Sequence, residues 1–264
     1  MTDPAAAPAP PGAPRLLGLD TALYLVTDSA MCRAAGRSVA QTVALAVEGG
    51  AGLVQVRDKH AGEAEFDELA RSVVAAVEQT RDRLGIDHEI PVFLDDRVAS
   101  ARRLLDEGLR VHVHVGQDDE PVERVSAAIG PEPLLGLSAS NEQEFAAGEA
   151  AGGVDLFGVG PVWATQTKDV ARAALGPERI RELAAAARLP IVAIGGIGAD
   201  NAAELAGSGA IGVCVVSAIC AAPDPRAAAQ RIRAAFAETP HLDDPAHLDE
   251  PSDPPAPHPA GGTP

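Results

Sequence analysis

The chain has 264 residues, 46% of them hydrophobic, and a formal net charge of −17. This acidic balance argues against nucleic acid and anionic membranes as partners, since both bind basic surfaces, and no apolar stretch reaches the roughly 18 residues of a membrane span. The three cysteines are odd in number and lack metal-ligand spacing, so they indicate neither a disulfide framework nor a zinc site and suit a reducing cytoplasm.

Both ends of the chain have the composition of disordered segments. Residues 1–18 are mostly Ala, Pro and Gly, and residues 239–264 are Pro-rich and acidic without any Lys or Arg. Such sequences bury too little apolar surface to offset the entropy lost on ordering. We therefore predict a disordered leader over 1–18, one folded domain over 19–238 and a disordered tail over 239–264. The histidines of the tail, His241, His247 and His258, are expected to be solvated rather than metal-bound.

Between these ends, short β-branched or apolar runs alternate with longer segments of helical spacing. The strand-like runs are 23–27, 53–57, 92–95, 111–115, 134–137, 154–159, 191–194 and 211–216, and the helical stretches include 38–48, 63–83, 98–105, 142–151, 177–187 and 202–207. This alternation predicts a parallel sheet covered by helices. Eight units in roughly 220 residues favour a single α/β domain of the (β/α)₈ TIM-barrel type. An open doubly wound sheet is disfavoured because Gly195-Gly-Ile-Gly198 does not match the dinucleotide-binding pattern.

The end of the second strand carries polar side chains that indicate an anion site. In a barrel of this type the chemistry lies at the C-terminal ends of the strands. The alternation of a strand places Gln55, Arg57 and Lys59 on one face. An amide and two cations directed from a buried strand predict a buried anion. The alternative, cations that only reach solvent, would explain Lys59 but not Gln55.

Carboxylates follow the next two strands. The third strand ends in Asp95 and Asp96, and Asp118 and Asp119 follow the fourth. Because Mg²⁺ takes one or two carboxylates together with water and phosphate oxygens, this arrangement predicts a Mg²⁺ site opposite the cations. The competing interpretation is that Asp95 or Asp96 caps the following helix.

The fourth and fifth strands offer further polar groups. His112 and His114 alternate with valines, a pattern that favours core histidines satisfied by their neighbours over metal ligands. Ser138, at the end of the fifth strand, is a small hydrogen-bond donor that faces the same end of the barrel.

The loop after the sixth strand carries two hydroxyls and an ammonium, in Thr165, Thr167 and Lys168. Among 21 basic residues only Lys59 and Lys168 are lysines. A lysine retained in a chain that otherwise uses arginine suggests a role for a compact point charge, such as binding a phosphate or pyrophosphate group.

The seventh and eighth strands end in Gly195–Gly196 and Val216–Ser217, each followed by helical sequence. Glycine lets backbone N–H groups approach an anion, and a helix N-terminus adds a favourable dipole. The layout therefore predicts two anion sites. Basic side chains and carboxylates would form one, suited to a pyrophosphate. Backbone groups and Ser217 would form the other, suited to a monophosphate.

Six segments, in order along the chain, resemble the thiamine-phosphate synthase family. They are Leu23-Tyr-Leu-Val-Thr-Asp28, Gln55-Val-Arg-Asp-Lys59, Asp95-Asp-Arg97, His114-Val-Gly-Gln-Asp-Asp119, Gly158-Val-Gly-Pro161 with Thr165-Gln-Thr-Lys168, and Ile194-Gly-Gly-Ile197. Each is weak alone, but six in register from about residue 23 to 237 are specific. The resemblance implies a (β/α)₈ transferase that joins 4-amino-5-hydroxymethyl-2-methylpyrimidine diphosphate to 4-methyl-5-(2-phosphoethyl)thiazole. Its products are thiamine phosphate and pyrophosphate.

The resemblance also implies roles for the residues on the diphosphate side. Gln55, Arg57 and Lys59 would hold the pyrimidine diphosphate, and Asp95 and Ser138 would contact the pyrimidine. Mg²⁺ would be the cofactor, bound by Asp96 and Asp119.

On the other side, the resemblance implies a thiazole-phosphate site formed by Thr165, Thr167, Gly196, Val216 and Ser217. Lys168 would contact the departing pyrophosphate and, with Arg57 and Lys59, would be catalytic. The implied reaction is dissociative: the bond to pyrophosphate breaks first, and the thiazole nitrogen then captures a pyrimidine-stabilised cation.

The chain departs from the family pattern at three places. Asp95 stands where the family usually has Asn, Ala164 stands where it commonly has Pro, and the segment between Asp96 and Asp119 is a few residues longer. Two alternatives therefore stay open: a paralogue similar to the thiazole tautomerases, and a non-catalytic barrel that senses a thiamine precursor. The tautomerases typically lack the diphosphate-binding cations and carry a histidine after the fifth strand. The sequence leaves the oligomeric state open, a homo-oligomer included.

Overall fold

Within residues 15–165 and 173–237, which the computed structural model describes, eight parallel strands close into a barrel. They are β1 Leu23–Val26, β2 Leu53–Val56, β3 Val92–Asp95, β4 His112–Val115, β5 Leu135–Ala139, β6 Leu156–Val159, β7 Ile191–Ile194 and β8 Gly212–Val215. Each strand pairs with its neighbours in chain order, and β1 pairs with β8 to close the barrel. The (β/α)₈ TIM-barrel class predicted from the sequence is confirmed.

Helices connect the strands. They are α1 Ser29–Ala34, α2 Val39–Glu48, α3 Glu63–Leu84, α4 Val98–Asp106, α5 Val122–Ile129, α6 Glu142–Ala151, α7 Gly176–Ala186, α8 Ser217–Cys220 and α9 Pro225–Ala237. The helix predicted over 202–207 is only a 3₁₀ turn at Ala202–Leu205. Gly207 adopts a φ of +68° just beyond it, a conformation that ends a helix rather than extending one.

The apolar side chains form two clusters on either side of the barrel wall. Alternation along each strand separates them: on β1, Leu25 packs outward against the helices while Tyr24 points inward. The inner cluster also contains Leu53 and Phe93. The inward positions one step further along β2 and β3 are Gln55 and Asp95. The barrel interior is therefore apolar toward the N-terminal ends of the strands and polar at their C-terminal ends.

The segment before β1 closes the opposite end of the barrel. Arg15 Nη1 lies 3.0 Å from Asp155 Oδ2, and Arg15 Nη2 donates to the Pro133 carbonyl at 2.9 Å. Leu16 is 6% exposed and belongs to the inner cluster. The folded part thus begins before residue 19, and the predicted boundary of the leader at residue 18 lies too late.

Residues 1–14, 166–172 and 238–264 lie outside the described residues, so the predicted disorder of the two tails stays a prediction. Within the described ranges, no helix combines the length and the apolar composition needed to cross a bilayer. Cys32, Cys214 and Cys220 are free thiols, and all three are buried.

Candidate active site

Two cavities lie among the loops that follow the strands. The smaller, of about 220 Å³, is lined by residues after β1 and β2: Asp28, Ser29, Ala30, Arg33, Arg57, Asp58, Lys59 and His60. The larger, of about 630 Å³, is lined by Met31, Ala164, Thr165, Gly196, Ile197, Gly198, Asp200, Asn201 and Ser217. Helix α1 contributes to both, with Ala30 and Arg33 in the smaller cavity and Met31 in the larger. Arg57 and Lys59 of one predicted anion site and Gly196 and Ser217 of the other thus line different cavities.

Gln55 and Arg57 lie on the common face that strand alternation predicted. Gln55 is 4% exposed, and its Nε2 donates to Tyr24 Oη at 3.1 Å. The Nε of Arg57 lies 3.1 Å from Asp95 Oδ2, and its backbone N–H donates to Thr27 Oγ1 at 3.0 Å. These contacts hold an amide and a guanidinium at the mouth of the barrel.

The carboxylates of the smaller cavity bind backbone groups. Asp28 Oδ1 accepts from the Met31 N–H at 2.8 Å and caps α1. Asp58 Oδ1 accepts from the N–H groups of His60 and Ala61, at 2.9 and 3.0 Å. Among the residues that the structure describes, neither Arg33 nor Lys59 forms an ion pair. The cavity therefore presents cations to a ligand, and Arg33 is a member of it that the sequence interpretation missed.

Asp96 has a strained backbone. Its φ is 61°, the only positive φ at a non-glycine residue of the described ranges, and such conformations cluster at functional sites. The Asp96 N–H donates to the His114 carbonyl at 3.0 Å, which holds this conformation. Partial burial and the neighbouring carboxylates of Asp95 and Asp119 raise the pKa of Asp96 to about 7.

Asp96 and Asp119 are close enough for the two carboxyl groups to influence each other, and Asp119 Oδ2 accepts from the Gly116 N–H at 2.8 Å. The alternative of a helix cap is wrong, because the N-cap of α4 is Arg97 and no side chain caps that helix. The described residues contain no group of three or more His, Cys, Asp or Glu side chains placed for a metal. A cation held by this pair would take its other ligands from water or substrate, as Mg²⁺ commonly does.

Ser138, on β5, is held from two sides. The Nε2 of His114 lies 3.1 Å from Ser138 Oγ, and Gln117 Nε2 donates to the Ser138 carbonyl at 2.7 Å. The His114 ring occupies space left by two glycines: a Cβ at Gly136 would lie 2.3 Å from its Nδ1, and one at Gly158 would lie 3.1 Å from its Cε1. His114 is buried, as predicted, but it also orients a predicted site residue.

His112 lies at the N-terminal end of β4 and is buried. Its Nδ1 accepts from the Leu134 N–H at 2.9 Å, and its Nε2 lies 3.3 Å from Glu89 Oε1. This contact with His112 lowers the pKa of Glu89. The prediction that His112 is a core histidine satisfied by its neighbours is confirmed.

The loop after β7 shapes the larger cavity. Gly196 has a φ of +69°, and a Cβ there would lie 2.8 Å from Trp163 Cβ. Asn201 locks the loop with its side-chain amide: its Oδ1 accepts from the Gly198 N–H at 2.8 Å and its Nδ2 donates to the Gly196 carbonyl at 2.9 Å. The sequence signal for Asn201 was available, because asparagine commonly binds nearby backbone groups in turns.

Ser217 and Thr165 line the larger cavity with Gly196. Val216 is the N-cap residue of α8, and its side chain packs partly buried against the core. Because α8 has only four residues, the dipole that the sequence interpretation invoked at this position is small. Thr167 and Lys168 lie outside the described residues, so their predicted roles stay predictions.

Comparison with known proteins gives the chain clear relatives. A family model described as thiamine monophosphate synthase matches residues 23–219. A protein of Chloroflexus aurantiacus named thiamine-phosphate synthase is 41% identical over 224 residues, which cover 84% of this chain and 95% of that protein. A protein of the same name from Xanthobacter autotrophicus is 43% identical over 216 residues, which cover 82% of this chain and 95% of that protein.

Solved structures share the architecture. Thiamine phosphate pyrophosphorylase from Pyrococcus furiosus has a TM-score of 0.68 and 29% identity, covering 82% of this chain and 96% of that chain. The 3-hexulose-6-phosphate synthase of Salmonella typhimurium has a TM-score of 0.56 at 17% identity, covering 82% and 98%, and shows similarity of fold alone. Because one barrel serves several chemistries, the function must be argued from the site.

Proposed function

Since the chain belongs to the thiamine monophosphate synthase family, we propose that it is a transferase of thiamine biosynthesis. Its substrates would be 4-amino-5-hydroxymethyl-2-methylpyrimidine diphosphate and 4-methyl-5-(2-phosphoethyl)thiazole, and its products thiamine phosphate and pyrophosphate. The observation that carries this proposal is the pair of cavities beside one another at the barrel mouth, one with three basic side chains and one whose lining is uncharged except for Asp200. Two phosphorylated substrates need two such spaces.

The smaller cavity suits the diphosphate. Arg57 and Lys59 line it together with Arg33, and three cations can neutralise much of the charge of a diphosphate. Lys168, which the family resemblance assigns to the same group, would approach from the loop after β6. Arg57, Lys59 and Lys168 are our candidates for stabilising the departing pyrophosphate.

The polar layer inside the barrel suits the pyrimidine. Gln55, Asp95 and Ser138 point to the same end of the barrel interior, and each has a partner that fixes its direction. Burial raises the pKa of Tyr24 well above its ordinary value, so the phenol stays neutral beside Gln55. A flat heterocycle with ring nitrogens and an amino group can use such fixed amide, carboxylate and hydroxyl groups.

The larger cavity suits the thiazole phosphate. Thr165 and Ser217 provide hydroxyl donors, and Gly196 allows close approach of the backbone. We assign Thr167 and Val216 to the same phosphate by their place in the family motifs. This side needs only to hold a phosphate that takes no part in the reaction.

Mg²⁺ is the cofactor that we propose for the carboxylate pair Asp96 and Asp119. Hard oxygen ligands match this ion, and burial together with the nearby carboxylates of Asp95 and Asp119 raises the pKa of Asp96. When bound, Mg²⁺ would supply positive charge to the diphosphate oxygens.

The residues of the chain support a dissociative displacement. Arg57, Lys59 and Lys168 would bind the oxygens of the pyrophosphate as its bond to the pyrimidine methylene breaks, when negative charge on it is greatest. The barrel would hold the thiazole nitrogen in line with the methylene cation, and such positioning replaces a bimolecular encounter. No strong base is required, because the thiazole nitrogen attacks through its lone pair.

Incubation of the protein with both substrates and MgCl₂, followed by chromatography for thiamine phosphate, tests the proposal. Formation of thiamine phosphate and pyrophosphate in equal amounts is expected. Isomerisation of the thiazole phosphate alone would indicate a tautomerase-like enzyme, and tight binding of precursors without product would indicate a sensor; either result overturns the proposal. We also propose a cytoplasmic location, which the free cysteines support.

A further inference from the structure

Arg97 contacts the loop that carries Lys59. Its Nη2 donates to two carbonyl oxygens of that loop, those of Asp58 at 3.1 Å and Ala61 at 2.9 Å. The two hydrogens of one guanidinium nitrogen therefore bind the chain immediately before Lys59 and two residues after it. We call this arrangement the Arg97 clamp.

The clamped loop is a tight turn. Asp58 Oδ1 binds the N–H groups of His60 and Ala61, so the side chain of Asp58 satisfies the backbone donors while Arg97 satisfies the acceptors. Ala61 is 8% exposed and belongs to the outer core. Lys59 projects from this turn into the smaller cavity, so the position of its ammonium depends on the turn.

The guanidinium of Arg97 is itself fixed. Its Cζ lies 5.0 Å from the centroid of the Phe66 ring, and Phe66 is fully buried on α3. Stacking on an aromatic face while donating from a planar fork is chemistry that arginine performs and lysine does not. The buried Phe66 ring thus holds the guanidinium of the Arg97 clamp in place.

Arg97 directly follows Asp96, whose backbone is held at a φ of 61°. Two adjacent residues therefore have different tasks: Asp96 presents a carboxylate, and Arg97 anchors the loop that carries Lys59.

We propose that Arg97 is a positioning residue, which fixes the separation between Lys59 and the carboxylate pair so that both meet one diphosphate. This inference rests on the proposed function. In the proposed reaction Arg97 contacts neither substrate and acts through the turn that carries Lys59. Its loss would leave the charges present but their spacing variable.

The variant Arg97→Gln tests this role against Arg103→Gln. Arg103 lies on the same helix region and pairs with Asp67 of α3, with Nε 2.7 Å from Oδ2, but it does not contact the Lys59 loop. Since small misplacement of binding groups has large kinetic effects, we expect Arg97→Gln to raise KM for the pyrimidine diphosphate about tenfold and KM for the thiazole phosphate less than about twofold. Arg103→Gln should lower the melting temperature without this selectivity.

Arg97→Lys keeps the charge and one donor group but loses the stacked fork, so an intermediate increase of the same KM is expected, about threefold. This milder variant also serves if Arg97→Gln does not fold. Equal changes in both KM values, no change in either, or the same selectivity in Arg103→Gln would overturn the inference.

Calorimetric titration with inorganic pyrophosphate and MgCl₂ separates this inference from the proposed function, because it requires no turnover. Arg97→Gln should bind pyrophosphate several-fold more weakly than both the wild type and Arg103→Gln. Unaltered binding in Arg97→Gln would overturn the inference even if the wild type makes thiamine phosphate. Failure to make product, with this binding difference intact, would overturn only the proposed function.

Discussion

The two edges of the barrel mouth differ in the chemical groups that they present. The edge after β2, β3 and β4, which we call the charged edge, carries acidic and basic side chains, including Arg57, Lys59 and Asp119. The edge after β7 and β8, which we call the backbone edge, presents the glycine backbone around Gly196 and the hydroxyl of Ser217. In the proposed reaction one phosphate group departs and the other is only held. In that reaction, charged side chains would lie where charge develops, and uncharged backbone groups would lie where binding alone is needed.

The two edges also differ in how they are supported. On the charged edge the partners come from other strands or loops: Asp95 holds Arg57, and the Arg97 clamp holds the turn of Lys59. On the backbone edge part of the support is local, because Asn201 binds its own loop twice, and the Trp163 N–H also donates to the Gly195 carbonyl at 3.0 Å. Loss of a charged side chain on the charged edge should therefore lower turnover, and loss of its support should raise KM for the pyrimidine diphosphate. Substitutions on the backbone edge should raise KM for the thiazole phosphate.

The largest effect is expected from Asp119→Asn. The amide keeps an acceptor for the Gly116 N–H but removes one of two carboxylates proposed for Mg²⁺, and we expect kcat to fall about 10²–10³-fold, as when other charge-stabilising groups are removed. Asp118→Asn, at the adjacent exposed position, is the matched control. Equal rates in the two variants, or full activity with excess chelator, would remove Mg²⁺ from the charged edge.

Lys168→Ala should lose most turnover, about 10²-fold, because the proposed leaving group would lose a cation in its transition state. Steady-state kcat at saturating concentrations of both substrates is the measurement. Unchanged rates would mean that the loop after β6 does not belong to the charged edge. Lys168→Arg is the finer comparison: full activity would refute the idea that this position needs the point charge of lysine.

Gly196→Ala addresses the backbone edge. The new Cβ would meet Trp163 Cβ at 2.8 Å with φ at +69°, whereas a Cβ at Gly198 would meet only Ala218 Cβ at 4.0 Å. We expect Gly196→Ala to raise KM for the thiazole phosphate about tenfold with a small change in kcat, since it alters binding that is uniform along the reaction. Gly198→Ala should change it far less. A similar rise in both variants would contradict a specific role for Gly196.

The smallest expected effect is that of salt concentration on KM, which should differ between the two edges. Raising NaCl from about 0.05 M to about 0.5 M screens exposed charges, so KM for the pyrimidine diphosphate should rise several-fold and KM for the thiazole phosphate about twofold or less. Parallel titrations with potassium chloride control for specific ion effects. Equal salt dependence would mean that the two edges bind phosphate by the same means.

Local patterns were enough to predict the barrel and much of the charged edge. Alternation along β2 fixes the face of Gln55 and Arg57, and runs of apolar residues mark every strand because buried parallel strands need them. The end of the leader was misplaced because Arg15 and Asp155 lie 140 residues apart. No local pattern records that pairing.

The residues that hold the site in place were harder to predict from the sequence than the residues that line it. Arg97 binds the carbonyl groups of Asp58 and Ala61, and a carbonyl oxygen is present in every residue, so no residue type signals the partner. The helix-capping alternative for Asp96 failed for a related reason: its positive φ is imposed by contacts from β4 rather than by its own sequence neighbours.

The packing of the His114 ring constrains the substitutions that this chain can accept during evolution. It fills space that Gly136 and Gly158 leave open on two other strands, so the three positions form one volume shared among β4, β5 and β6. A larger residue at Gly136 requires a smaller one at position 114, and a larger residue at Gly158 requires the His114 ring to shift, so the effects of such changes combine non-additively. Substitutions at positions 114, 136 and 158 therefore depend on one another, and the order in which they occur is constrained as well as the final combination of residues.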